Sequence, residues 1–166
     1  ADDFTGKWIE RGSENQAGRM HVAARSSDGT ALYAGSSNGG VWRGSLQGDN
    51  WQPLGDNLAG GAHSLLLFPA NSAGNPDIML ATTDNGAVHR SVDDGVTWDV
   101  PTGASGLWEV QRLIKLSDGS HHAFMVVREA NQDRYRLLRS TDSGDTWQRV
   151  LDLGNYLVGV ALEEPD

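Results

Sequence analysis

One eight-residue pattern constrains this chain more than anything else in it. Ser91-Val92-Asp93-Asp94-Gly95-Val96-Thr97-Trp98 returns 49 residues later as Ser140-Thr141-Asp142-Ser143-Gly144-Asp145-Thr146-Trp147, identical at five of the eight positions. A worn third copy, Gly44-Ser45-Leu46-Gln47-Gly48-Asp49-Asn50-Trp51, keeps the glycine and the tryptophan 47 residues before Trp98. Trp8, 43 residues further upstream, opens Trp8-Ile9-Glu10-Arg11. Self-similarity at this period marks a chain built from one supersecondary unit repeated.

What lies between the copies says which unit. Ala31-Leu32-Tyr33-Ala34-Gly35, Asp77-Ile78-Met79-Leu80-Ala81 and Ala123-Phe124-Met125-Val126-Val127 are apolar runs of strand length, not helix length. Two of them meet the turns Ser37-Asn38-Gly39-Gly40 and Asp84-Asn85-Gly86, which lead into Val41-Trp42-Arg43 and Ala87-Val88-His89-Arg90. Asn-Gly between apolar runs is the strongest short hairpin signal. Met20–Ala24, Ser64–Phe68 and Val110–Ile114 supply a strand before each hairpin, and their apolar character predicts burial on both faces. Four short strands in a period of 43 to 49 residues is the size of a β-propeller blade. The fold expected is all-β: about three four-stranded blades over 18–57, 62–103 and 107–154, with an orphan closing strand over 4–12 and an opening strand over 155–163. A ring with orphan strands leaves sheet edges open, so another chain or further copies are expected to complete it.

The repeated turn has a folding purpose at every position. Asp93 and Asp142 can accept hydrogen bonds from turn N–H groups, Gly95 and Gly144 supply positive φ, and Thr97 and Thr146 can bond back across the turn. Trp98 and Trp147 then bury a large ring between neighbouring blades, and Ser91 and Ser140 open the turn. Asp93-Asp94-Gly95 lacks the alternating oxygen ligands and distal Glu of a calcium loop, so no metal is expected there. His121 and His122, adjacent on a strand, point to opposite faces and are poorly placed to share one. No cofactor is expected.

These motifs resemble the sialidase/BNR (Asp-box) repeat superfamily, and most nearly its xyloglucanase and sortilin-type propellers. Gly18-Arg19-Met20, Leu32-Tyr33-Ala34-Gly35 and Asn38-Gly39-Gly40-Val41-Trp42-Arg43 are similar to the first blade of such proteins. The resemblance implies export to a secreted or periplasmic setting, and either glycoside hydrolysis or ligand binding. The xyloglucanase-type catalytic aspartate stands in a Tyr-Ala-x-Thr-Asp-x-Gly-Gly stretch, and here Ser37 takes its place. A hydroxyl cannot replace one of two carboxyl groups across a glycosidic bond. The Arg-Ile-Pro that carries the first sialidase arginine is absent.

The expectation is therefore a non-catalytic scaffold or binding module for a protein or glycan. The alternative is part of a glycoside hydrolase whose residues lie partly elsewhere, with Asp84 and Glu109 as its candidate carboxylates. Ligands of such rings meet the starts of the inner strands, which makes Arg19, His21, His63, Trp108, Glu109, Gln111, Arg112 and Tyr156 the candidate binding residues. A net charge of −9 disfavours nucleic acid and anionic lipid. No apolar run is long enough to insert into a membrane, and the acidic start Ala1-Asp2-Asp3 lacks a leader's basic region. Without cysteine, disulfides and thiolate chemistry are excluded.

Overall fold

A computed structural model describes residues 19–37, 39–54, 58, 60–70, 72, 74–106, 109–129 and 134–155. The expected strands over 4–12 and Tyr156–Leu162, together with Trp108 and Tyr156, lie outside them. Among the described residues there is no helix, and none that could cross a membrane. Eleven strands form three antiparallel sheets, each a meander in chain order. The first holds β1 (Met20–Arg25), β2 (Ala31–Ser36), β3 (Gly40–Ser45) and β4 (Gln52–Pro53). The second holds β5 (Ala62–Phe68), β6 (Ile78–Thr83) and β7 (Val88–Ser91). The third holds β8 (Glu109–Lys115), β9 (Ala123–Glu129), β10 (Arg134–Ser140) and β11 (Gln148–Gly154).

The second sheet stops one strand short of four. After Trp98 its return is a single bridge, Arg90 to Asp99. Pro101 has no N–H to extend a ladder, and the chain instead crosses to the third sheet, where Thr102 and Trp147 pair through Trp147 N–H to Thr102 O at 2.9 Å. β4 is similarly cut to two residues, ending at Pro53.

Strand alternation explains how the sheets stack. On β5, Leu65 and Leu67 face the first sheet while Leu66 and Phe68 face the third; on β6, Met79 and Ala81 face one way and Ile78 and Leu80 the other. The second sheet is thus clamped between two cores, and all six residues of β6 are buried. That double burial is why its sequence shows no polar alternation.

Burial on both faces holds for β5 and β6 but not for β1 and β8, which the apolar pattern had led us to expect. β1 buries no residue fully and β8 buries only Leu113. Their sheets have a described neighbour on one side only, so one face of each strand has no described sheet packed against it. Specific bonds tie the stack: Tyr33 OH donates to Asp94 at 2.5 Å, Ser27 N–H to Asp77 at 2.6 Å, and Lys115 Nζ to Leu67 O at 2.6 Å.

Candidate functional site

The strands of each sheet run between two ends, and the two ends differ chemically. One end carries the Ser-x-Asp-x-Gly-x-Thr-Trp turns. Ser91 Oγ donates to Asp93 (2.8 Å) and accepts from Gly95 N–H (2.9 Å), while Asp93 accepts from Thr97 N–H (2.9 Å) and Thr97 Oγ1 (2.6 Å). The turn at Ser140 repeats these four bonds at 2.7, 2.8, 2.9 and 2.6 Å. The serine and aspartate side chains that shape each turn are thereby committed inside it, leaving little for a ligand.

Burial alone would raise the Asp93 and Asp142 carboxyls, but the bonds from threonine and serine outweigh it and hold both below the ordinary value. The Trp147 ring is buried between the second and third sheets and donates to Gly144 O at 3.1 Å. Trp98 donates across to Leu54 O of the first sheet at 3.0 Å. In the worn copy Ser45, one place late, takes over: its hydroxyl bonds Asp49, and Trp51 donates to Gly48 O at 3.1 Å.

Two further features at this end escaped the sequence reading. Positive φ extends to the residue before each glycine, at 61° for Asp94 and 56° for Ser143. The β1–β2 turn is a shortened relative of the same motif, with Ser26 donating to Asp28 at 2.6 Å and Asp28 accepting from Thr30 N–H at 2.9 Å. A cleft of about 300 Å³ opens beside it between the first two sheets, with Asp28, Tyr33, Arg43, Asp77 and Asp94 on its walls. Those groups mostly satisfy one another: Asp94 takes the Tyr33 hydroxyl and lies 3.5 Å from Arg43 Nε, and Asp77 takes Ser27.

The opposite end gathers the starts of the inner strands and the β2–β3 and β6–β7 turns. Here the His21 and His63 rings lie 4.3 Å apart, tilted by 33°. His21 Nε2 bonds the Ser37 hydroxyl, and His63 Nε2 bonds Asp84 Oδ1. The other Asp84 oxygen accepts Gly61 N–H at 3.0 Å, which fixes the carboxylate against the loop before β5. The result is a row across two sheets: Ser37, His21, His63, Asp84. The His63 side chain remains 49% exposed, so the row is open to solvent.

Of the candidate binding residues, the structure therefore unites His21 and His63. Arg19 is beside them only through its backbone, its carbonyl accepting Ser37 N–H at 2.9 Å. Glu109, Gln111 and Arg112 are next along the same end, where Val110 N–H bonds Gly86 O at 3.3 Å; Glu109 and Arg112 are exposed and join no bond to the histidine row. Ser37 and Asp84 complete the row, and the signal for them was positional: each sits in an Asn-Gly-type turn that folds over the preceding inner strand. His121, by contrast, lies at the other end, bonded to the Ser143 hydroxyl and stacked on Phe68 at 6.3 Å. Among the described residues no three acidic or imidazole groups converge as a metal site.

Chemically the row offers imidazole and hydroxyl groups that can donate or accept hydrogen bonds, and one carboxylate that is already doubly bonded. Glycosidic cleavage of the usual kind calls for two carboxyl groups roughly 5 to 9.5 Å apart, and Asp84 is the carboxylate that the row contains.

No protein-family model matches this chain, and no curated protein does. Solved structures do. A GH74 enzyme from Niastella koreensis superimposes with a TM-score of 0.57 at 17% identity over 72% of this chain and 19% of that one. A chain of a mitotic checkpoint complex gives 0.52 at 14% identity over 82% and 41%. A GH74 xyloglucanase from Xanthomonas campestris gives 0.47 at 18% identity over 78% and 29%. The chain spans less than half the length of each of these structures. At such identities the likeness is one of fold, and with three stacked antiparallel meanders of four, three and four strands it identifies an all-β, propeller-type segment.

Proposed function

We propose that this chain is a segment of an Asp-box (BNR-repeat) propeller that serves as a non-catalytic binding module, offering the His21–His63 row to a glycan or protein ligand. One observation carries the reading. Where hydrolysis would need a second carboxylate, the row has the Ser37 hydroxyl bonded to His21, and its single carboxylate is occupied by His63 and Gly61. The exposed His63 imidazole, beside half-exposed His21 and the Ser37 hydroxyl, suits hydrogen bonding to sugar hydroxyls or to a peptide backbone. The reading includes a complete ring, with further sheets supplied by other chain or by copies, and an exported setting. Neither nucleic acid nor metal has a part in it.

The test pairs binding with turnover. A glycan and protein-ligand screen should give binders whose affinity falls about tenfold or more in H63A and D84N, while β-glucans and sialosides are not cleaved. Measurable hydrolysis by the chain would sink the proposal.

A second reading follows from the GH74 enzyme that shares the fold: part of a glycoside hydrolase with residues contributed from outside this chain. Asp84 and Glu109, on neighbouring sheets at the same end, are its carboxylates. In the assembled protein, D84N and E109Q should then abolish cleavage, and unchanged rates would remove this reading.

A further inference from the structure

The third strands of the three sheets carry an arginine at one register. Arg43 lies opposite Tyr33, Arg90 opposite Leu80, and Arg139 opposite Phe124. Twice this cross-strand pair grips the turn of the next sheet. Tyr33 and Arg43 hold Asp94 of the turn after β7. Leu80 packs directly under Gly144 of the turn after β10, while Arg90 donates from Nε to Ser143 O at 3.2 Å and from Nη1 to Asp145 at 3.1 Å. Among the described residues the third pair has no such turn against it. Arg139 is exposed and makes no hydrogen bond or ion pair among the described residues.

We propose that Phe124 and Arg139 form the receptor for the Ser45–Trp51 turn of a second copy of this chain, with Asp49 seated on Arg139. Charge and register select this occupant. Counted back from the turn tryptophan, Asp49 and Asp145 hold the same place, two residues before Trp51 and Trp147. Asp145 is the residue that Arg90 already binds inside the chain. The two side-chain bonds that Asp49 accepts both fall on Oδ1, so Oδ2 faces no competitor in its own turn. The surfaces around the pair agree. Ile114, Phe124 and Leu137 lie on the third-sheet face opposite the core, and Leu32 and Trp42 on the corresponding outer face of the first sheet; all five are half-exposed. Joining those faces repeats, between copies, the stacking that joins sheets within one copy. The contact is heterologous, so it propagates until a ring closes.

This inference rests on the reading of the chain as a ring segment, and its test separates the two. Sedimentation velocity across a concentration series should show self-association of the wild-type chain. R139E and D49R should each weaken it by about tenfold or more, since removing one partner of a close charge pair across an interface acts strongly on dissociation, and the doubly reversed R139E/D49R chain should recover it. Unchanged circular dichroism and melting temperature in R139E show that the variant is folded, as an exposed site predicts. A wild-type chain that is monomeric at every concentration, or association indifferent to both reversals, overturns the proposal. A monomer that still binds a ligand through His63 leaves the binding module standing without this interface, and an assembly that binds nothing does the opposite.

Discussion

The two repeated turns are nearly superimposable in their bonds, yet their glycines answer to different constraints than a turn glycine elsewhere in the chain. Gly144 has a φ of 78°, and an added Cβ would lie 2.9 Å from Leu80 Cγ and closer still to its methyl groups. Leu80 is fully buried and cannot withdraw. Gly119 has the same φ but open space around it. Gly119→Ala should therefore cost only the backbone strain, about 1 kcal/mol, and Gly144→Ala about 3 kcal/mol once overpacking is added; equal losses in urea titrations would show that the turn does not press on Leu80.

The carboxylates of the same turns set a pH dependence. Asp93 and Asp142 have folded values below the unfolded one of 3.8, so their contribution is complete above that value and disappears as pH falls through the lower folded values. His89, lowered by burial from 6.5, is held neutral, and its stabilisation is full above 6.5 and lost on acidification below it. Thermal stability should thus decline in two stages on acidification. H89Q should flatten the first and D93N/D142N the second, while a single drop unaffected by either variant would refute the assignment.

At the scale of strands, position in the stack matters more than apolar content. Leu80 on β6 and Leu151 on β11 are both leucines in strands, but one is fully buried and the other 52% exposed. Leu80→Ala should cost about 2–5 kcal/mol through transfer and cavity terms, and Leu151→Ser within about 0.5 kcal/mol, as read from chemical denaturation. This contrast also marks where sequence stopped being informative. The hairpins were legible because Asn-Gly and Asp-Asn-Gly turns are local chemistry, and the β2–β3 and β6–β7 pairings need nothing else. Whether an apolar strand is covered on both sides depends on which sheet stands next to it, so Met20–Ala24 and Val110–Ile114 looked as buried as Ser64–Phe68. The candidate site shows the same division. His21 and His63 were readable as inner-strand starts, but their 4.3 Å approach joins residues 42 apart in sequence, and only the packing of β1 against β5 brings them together.

Across the whole molecule the three sheets behave as a short linear stack in which each contacts only its neighbours, so stability should distribute by position along it. The second sheet shares Leu65, Leu67, Met79 and Ala81 with the first and Phe68, Ile78, Leu80 and Val88 with the third. Opening it requires breaking both cores; opening either flanking sheet breaks one. Native-state hydrogen exchange should accordingly find the slowest amides on β6, with β2 and β9 intermediate and β11 fastest among strands. The two interfaces can also be loosened separately, because neighbouring β6 residues face opposite ways. Met79→Ala should speed exchange in the first sheet and leave β9 and β10 protected, whereas Leu80→Ala should do the reverse. Uniform acceleration of all three sheets by either substitution would mean that the stack unfolds as one cooperative block, and the nearest-neighbour description would then have to be given up.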